Sequence, residues 1–148
     1  VKPEIGKLLE IVAGKLLFEV APGVQPAYRQ QSVGLTAMLL GMVREECDRA
    51  AARRVEENTA LRALFGRAAP RVTEPELRRR LEAAAAASEP SLLVSALEKS
   101  NDALRALLIE LHAHVEGESA AWARGVDDEI WKELRTSTER RRFSLAPF

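Results

Sequence analysis

Residues Leu92 to Glu116 read LLVSALEKSNDALRALLIELHAHVE. Apolar side chains recur at Leu93, Ala96, Leu97, Leu104, Leu107, Leu108, Leu111 and Val115, three and four apart, with Ser100 as the one polar member of the row. That spacing places the row on one face of an α-helix, whereas a half-buried strand would alternate every second residue. Ser88-Glu89-Pro90-Ser91 before it and Gly117 after it mark its ends. This is the strongest stripe in the chain, and it predicts the central helix of an all-α fold.

Upstream, Thr73 with Glu76 three residues later forms a capping-box pair, and Glu74 and Pro75 suit a first turn. The helix they start runs from Glu74 into Ala83-Ala84-Ala85-Ala86-Ala87. Such a run favours helix but offers little side chain to bury, so it implies close helix approach or an exposed, forgiving segment. Gly66 to Arg71 is a connection. Before it, a periodic stretch after Pro26 passes through Val33, Ala37, Leu40, Val43, Cys47, Val55, Leu61, Leu64 and Phe65 with no proline until Pro70. Forty helical residues would span about 60 Å, more than the roughly 40 Å across a compact chain of this size. Either this helix breaks near Asn58-Thr59, or it projects and packs against another chain. Ile5, Leu8, Leu9, Val12, Leu16 and Val20 mark a first helix, with Pro3 in its first turn and Pro22-Gly23 as its stop. At the other end, Asp127 is placed to cap a short last helix carrying Ile130, Trp131 and Leu134. Residues 143–148 read as a tail. The expected architecture is one domain over residues 1–148, an antiparallel helical bundle of four main helices plus a shorter helix.

The 148 residues are 47% hydrophobic and 30% charged, with 22 Lys and Arg against 22 Asp and Glu. A balanced charge removes the whole-molecule attraction on which general nucleic-acid or anionic-membrane binding relies. No apolar run has the length of a membrane span, and the first residues lack a signal-peptide pattern, so a cytoplasmic location is expected. The single cysteine, Cys47, cannot form a disulfide within one chain and is read as a buried small hydrophobe on the second helix.

The residues that could carry chemistry are few. His112 and His114 lie among Glu110, Glu116 and Glu118. Two residues apart on a helix, they do not share a face, and the Glu-x-x-His pairs of a di-metal bundle are missing, because residues 109 and 111 are Ile and Leu. Carboxylate and helix-dipole contacts at a helix end are the expected role of both, with no metal and no cofactor. The clusters Arg53-Arg54 and Arg78-Arg79-Arg80 alternate with acids, as in Arg53 with Glu57, and read as solvated faces, while a third, Arg140-Arg141-Arg142, reads as a frayed terminus. The third, beside Phe143, Leu145 and Phe148, could also dock on a partner. Trp122 and Trp131 would seal one end of the bundle. Ser100 would bond back to the carbonyl four residues earlier, or with Asn101 act as a polar register device or the floor of a pocket. No nucleophile elbow or phosphate-binding glycine loop occurs.

The stretch KPEIGKLLEIVAGKLLFEVAPGVQPAYRQQSVGLTAMLLGMVREECD, Lys2 to Asp48, has a Pro3 start, Leu8-Leu9-Glu10-x-Val12, a proline after the first helix, and an aliphatic second helix ending in Arg44-Glu45. It resembles the opening of a small all-helical bacterial domain of unknown function that accompanies aminoglycoside-phosphotransferase-like kinases and acyl-CoA dehydrogenases. The resemblance covers about a third of the chain and implies an accessory role beside acyl-CoA or phosphotransfer enzymes, with no catalytic residues to carry over. The expected function is a non-catalytic accessory or interaction module, homodimeric through part of the second helix. The rival reading is a small-molecule-binding bundle or minor enzyme whose polar pocket gathers Glu46, Ser100, Asn101, His112 and His114. Metal-dependent hydrolysis is a third.

Overall fold

The computed structural model describes residues 4 to 144. Among them are five α-helices and no strand: α1 (Ile5–Lys15), α2 (Ala27–Ala68), α3 (Pro75–Ala86), α4 (Val94–Glu116) and α5 (Ala121–Arg140). The all-α expectation holds. Residues 145–148, most of the expected tail, lie outside the described part, as does Pro3.

The contacts divide the chain into two compact units, with the boundary inside α2. The first runs up to Ala50 and includes the segment from Arg142, and the second is Ala51–Arg141. In the first unit, α1 is shorter than its apolar pattern. It continues as a π-helical turn over Leu16–Val20 and a 3-10 turn over Ala21–Gly23, where Pro22 lacks the N–H that a further helical turn needs. Glu10 pairs with Arg44 at 3.5 Å, so α1 lies beside the first half of α2.

Helix α2 does not break at Asn58-Thr59. Asparagine interrupts helices when its side chain competes for nearby backbone groups. Here the Asn58 amide reaches away from its own helix to the carbonyl of Leu97, 3.2 Å distant, so it does not compete.

The second unit holds the core. Leu61, Leu64 and Phe65 of α2, Leu77 and Leu81 of α3, Leu104, Leu107, Leu108, Leu111 and Val115 of α4, and Ala123, Val126 and Ile130 of α5 form one buried cluster. Helix α4 is central, as its stripe predicts, with seven buried residues from Leu97 to Val115. Each fully buried leucine contributes roughly 1.5–3 kcal/mol relative to exposure. The stripe's first member, Leu93, instead precedes the helix and is 70% exposed.

Two helix starts differ from the sequence reading. The cap of α3 is Glu74 and not Thr73: its carboxylate accepts from the N–H of Glu76 at 2.9 Å and from that of Leu77. Pro75 decides this, because a residue before proline is driven to extended backbone, and Glu74 sits at φ −73°, ψ 117°. Helix α5 begins at Ala121, well before Asp127. Gly125 lies inside it at a cost of about 1 kcal/mol relative to alanine. The burial of Ala123 and Val126 on either side outweighs that cost.

Candidate functional site

The polar groups of the second unit converge on Glu57. Reading back from Leu61 and Phe65 by three, four and seven residues puts Glu57 and Asn58 on the core face of α2. The Glu57 side chain is 1% exposed. Its carboxylate accepts from Arg141 Nε and Nη2, both at 2.9 Å, from Arg54 Nη1 at 2.7 Å, from Ser137 Oγ at 3.2 Å and from Asn101 Nδ2 at 3.4 Å. Burial pushes the acid up, but the hydrogen bonds from Arg141 and Arg54 prevail and hold its pKa at about 2, against an ordinary 4.5. Arg54 also binds Glu98 at 2.6 Å. A carboxylate has about four lone-pair positions. With five donors on it, Glu57 is saturated and permanently ionised at neutral pH. It locks α2 to the end of α5 and does not move protons.

A second layer ties α2 to α4. Asn101 donates to Asn58 Oδ1 at 2.8 Å, and Asn58 donates to Glu89 at 3.0 Å as well as to the Leu97 carbonyl. Ser100 does not bond back along its helix: its hydroxyl accepts from Arg62 Nη2 at 3.1 Å and donates to Glu89 at 3.4 Å. Arg62 further pairs with Glu89 at 3.0 Å and donates to the Ala87 carbonyl at 2.9 Å. Arg62, Ala63, Gly66, Ala85 and Glu89 line an open cleft of about 550 Å³. There the alanine run makes its close helix approach, since a Cβ added at Gly66 would lie 3.6 Å from Ala85.

The histidines form a separate group near the other end of α4. His112 lies eleven residues beyond Asn101, roughly 16 Å along a helix. Its Nε2 is 2.9 Å from Asp127 and 3.7 Å from Glu116, and its ring meets Trp131 edge-on. His114 lies 3.9 Å from Glu118 and stacks on Trp122. These are the expected carboxylate contacts. Glu46 belongs to the first unit. The structure thus joins Ser100 and Asn101 through Asn58 and Glu89 and leaves the histidines apart from them. Among the described residues, no group of three or more His, Cys, Asp and Glu side chains is placed to hold a metal ion.

Several expectations about exposure reverse. Arg54 is not on a solvated face: its side chain, 12% exposed, lies between Glu57 and Glu98, and Arg53 is buried. Arg79 and Arg80 do keep the expected exposed face, holding Glu76 and Glu110, while half-buried Arg78 donates to the Val72 carbonyl. Arg141 reaches in to Glu57 while its side chain stays 40% exposed. Trp122 packs against the core, but Trp131 is exposed and seals nothing. Cys47 is exposed, not buried as expected: it lines an open cleft of its own unit with Ile5 and Gly6 of α1.

The first unit has the opposite character. Its buried side chains, among the described residues, are the methyls of Ala21, Ala37 and Ala50. Twelve large apolar side chains, from Ile5 on α1 to Val43 on α2, are exposed, Phe18 at 74%. Near its base, Ser144 donates to Glu45 through its N–H at 2.9 Å and its hydroxyl at 2.7 Å. Those two bonds, with Arg49, hold the Glu45 acid below its ordinary range. No described helix is long and apolar enough to cross a membrane. Compared with family models, curated proteins and solved structures, the chain matches none.

Proposed function

We propose that this chain is a non-catalytic helical interaction module of the cytoplasm that docks on another polypeptide through α1 and the first half of α2. The observation that carries the reading is the imbalance in the first unit, where twelve large apolar side chains face outward over three buried alanine methyls. Soluble monomers rarely expose a contiguous apolar patch beyond a few hundred Å², and a larger one marks an interaction site. The second unit supports it from the other side. Its Glu57, Asn58, Asn101 and His112 bond to partners on neighbouring helices, as scaffold groups do. In architecture the reading keeps the antiparallel bundle of four main helices plus a shorter one, and in context the accessory role beside acyl-CoA or phosphotransfer enzymes.

Hydroxyl-radical footprinting of the full chain at nanomolar concentration, where weak association is dissolved, tests it. Phe18, Tyr28 and Met38 are expected to oxidise readily, at rates that follow their 74%, 63% and 38% exposure. Protection of all three in a chain shown to be monomeric would mean that the chain covers this face itself, and the docking role would fall.

A further inference from the structure

We infer that the occupant of this docking face is a second copy of the same chain, paired about a two-fold axis through the first half of α2. The inference rests on the docking reading above and adds the identity of the partner.

Area comes first. The exposed apolar side chains of α1, its following turn and the first half of α2 present roughly 1,000 Å² per chain, against about 800 Å² per partner in a standard interface. The apolar surface that this unit exposes is therefore of the size that a standard pair buries.

Charge comes second. From Gln30 to Val43 the helix carries no charged residue over fourteen positions. Leu35, Met38, Leu39 and Val43 are all exposed along that stretch, and Tyr28, with Arg29 over its ring, is exposed just before it. They recur at helical spacing, so they form one stripe. A partner recognised by its own charge, such as a nucleic acid, an acidic protein or an anionic lipid surface, would need basic groups beside the stripe. The described part of the first unit has six Lys and Arg against six Asp and Glu. An uncharged stripe on a neutral unit is complementary to itself, and an isologous pair places the same patch on both sides without like-charge repulsion.

The experiment is sedimentation velocity of the full chain from 0.1 to 100 µM, with footprinting of Tyr28 and Met38 over the same range. The expected result is a species of twice 16.3 kDa at the upper concentrations, with oxidation of both residues falling at least tenfold as it forms. A Leu35→Asp, Leu39→Asp variant is expected to stay at 16.3 kDa with association at least 100-fold weaker and the tryptophan emission of the second unit unchanged. If the variant does not fold, the wild-type protection curve alone decides. A wild type that remains monomeric at 100 µM with Tyr28 and Met38 fully oxidised overturns the second copy and leaves the docking face standing. A monomer with both residues protected overturns the two together. A dimer in which both stay oxidised would place the interface elsewhere and also overturn the inference.

Discussion

Replacing Glu57 by glutamine removes one charge from the interior and leaves the side chain's shape almost unchanged. The acid is held at a pKa of about 2, against 4.5 in an open chain. A difference of roughly 2.5 units at about 1.4 kcal/mol each corresponds to about 3.5 kcal/mol of stability at pH 7. That agrees with the 3–5 kcal/mol typical of breaking a buried ion pair and stranding its partner. The sign follows from the direction of the shift. A depressed folded-state pKa gives stabilisation that is complete above about pH 5 and is lost as the pH falls through 4.5 toward 2, where the folded chain takes up the proton. Urea unfolding followed by the emission of Trp122 and Trp131, both in the second unit, reports on the network directly. With a slope of about 1.5 kcal/mol per molar urea, Glu57→Gln should lower the midpoint by about 2 M at pH 7. Near pH 2 the two proteins should differ by less than about 1 kcal/mol. A gap below 1 kcal/mol at neutral pH, or one of equal size at both pH values, would refute the assignment of Glu57 as the ionised centre of the lock.

Asn101→Leu should cost about 1–3 kcal/mol by leaving the buried Asn58 Oδ1 without its donor, and adding Asn58→Leu should cost less than the sum of the two single changes. A double-mutant cycle with no coupling would refute the amide pair. Glu74→Ala should destabilise α3 by about 1 kcal/mol while Thr73→Ala changes stability by less than about 0.5 kcal/mol, and thermal melts showing the reverse order would restore Thr73 as the cap. Leu111→Ala, at the most buried part of the central stripe, should cost about 2–5 kcal/mol, and a loss under 1 kcal/mol would mean that α4 is not the centre of the core.

The helices were legible wherever burial and periodicity agreed. The stripe on α4 announced itself because Leu97, Leu104, Leu107, Leu108 and Leu111 all face the same core, and the all-α class followed. Boundaries failed where a local signal was stronger than its role. Gly125 looked like punctuation but is carried inside α5, because Ala123 and Val126 beside it are buried. Thr73 looked like a cap, but the backbone preference imposed by Pro75 gives the position to Glu74. The polar network was half legible. Ser100 and Asn101 stood out as interruptions of an apolar row, and that row named their helix. Glu57 and Asn58 carried the same signal on α2 and were masked by the charge alternation of Arg53, Arg54, Glu56 and Glu57, which reads as an ordinary solvated face. The register of three and four counted back from Leu61 would have found them. What no count could supply is the partner across the core: Arg141 is 84 residues away, and nothing local marks it apart from the arginines on either side.

One periodic helix therefore does two different things along its length. Past Ala51 the apolar face of α2 meets α3, α4 and α5, so Glu57 and Asn58 on that face must be matched by donors and acceptors or the core would not tolerate them. Before Ala50 the same kind of apolar face has α1 beside it, an eleven-residue helix and thus too short to be stable alone in water. Polar residues are absent from the stretch Val33 to Val43 except for Thr36, whose hydroxyl bonds to the carbonyl of Ser32 within the same helix at 2.9 Å. A face whose polar groups are satisfied internally, and whose remaining surface is aliphatic, gains little from water and much from a surface like itself. The difference between the halves of α2 is thus a difference in what completes them: the chain's own helices for the second, and, in the pairing we propose, an identical stripe on another molecule for the first.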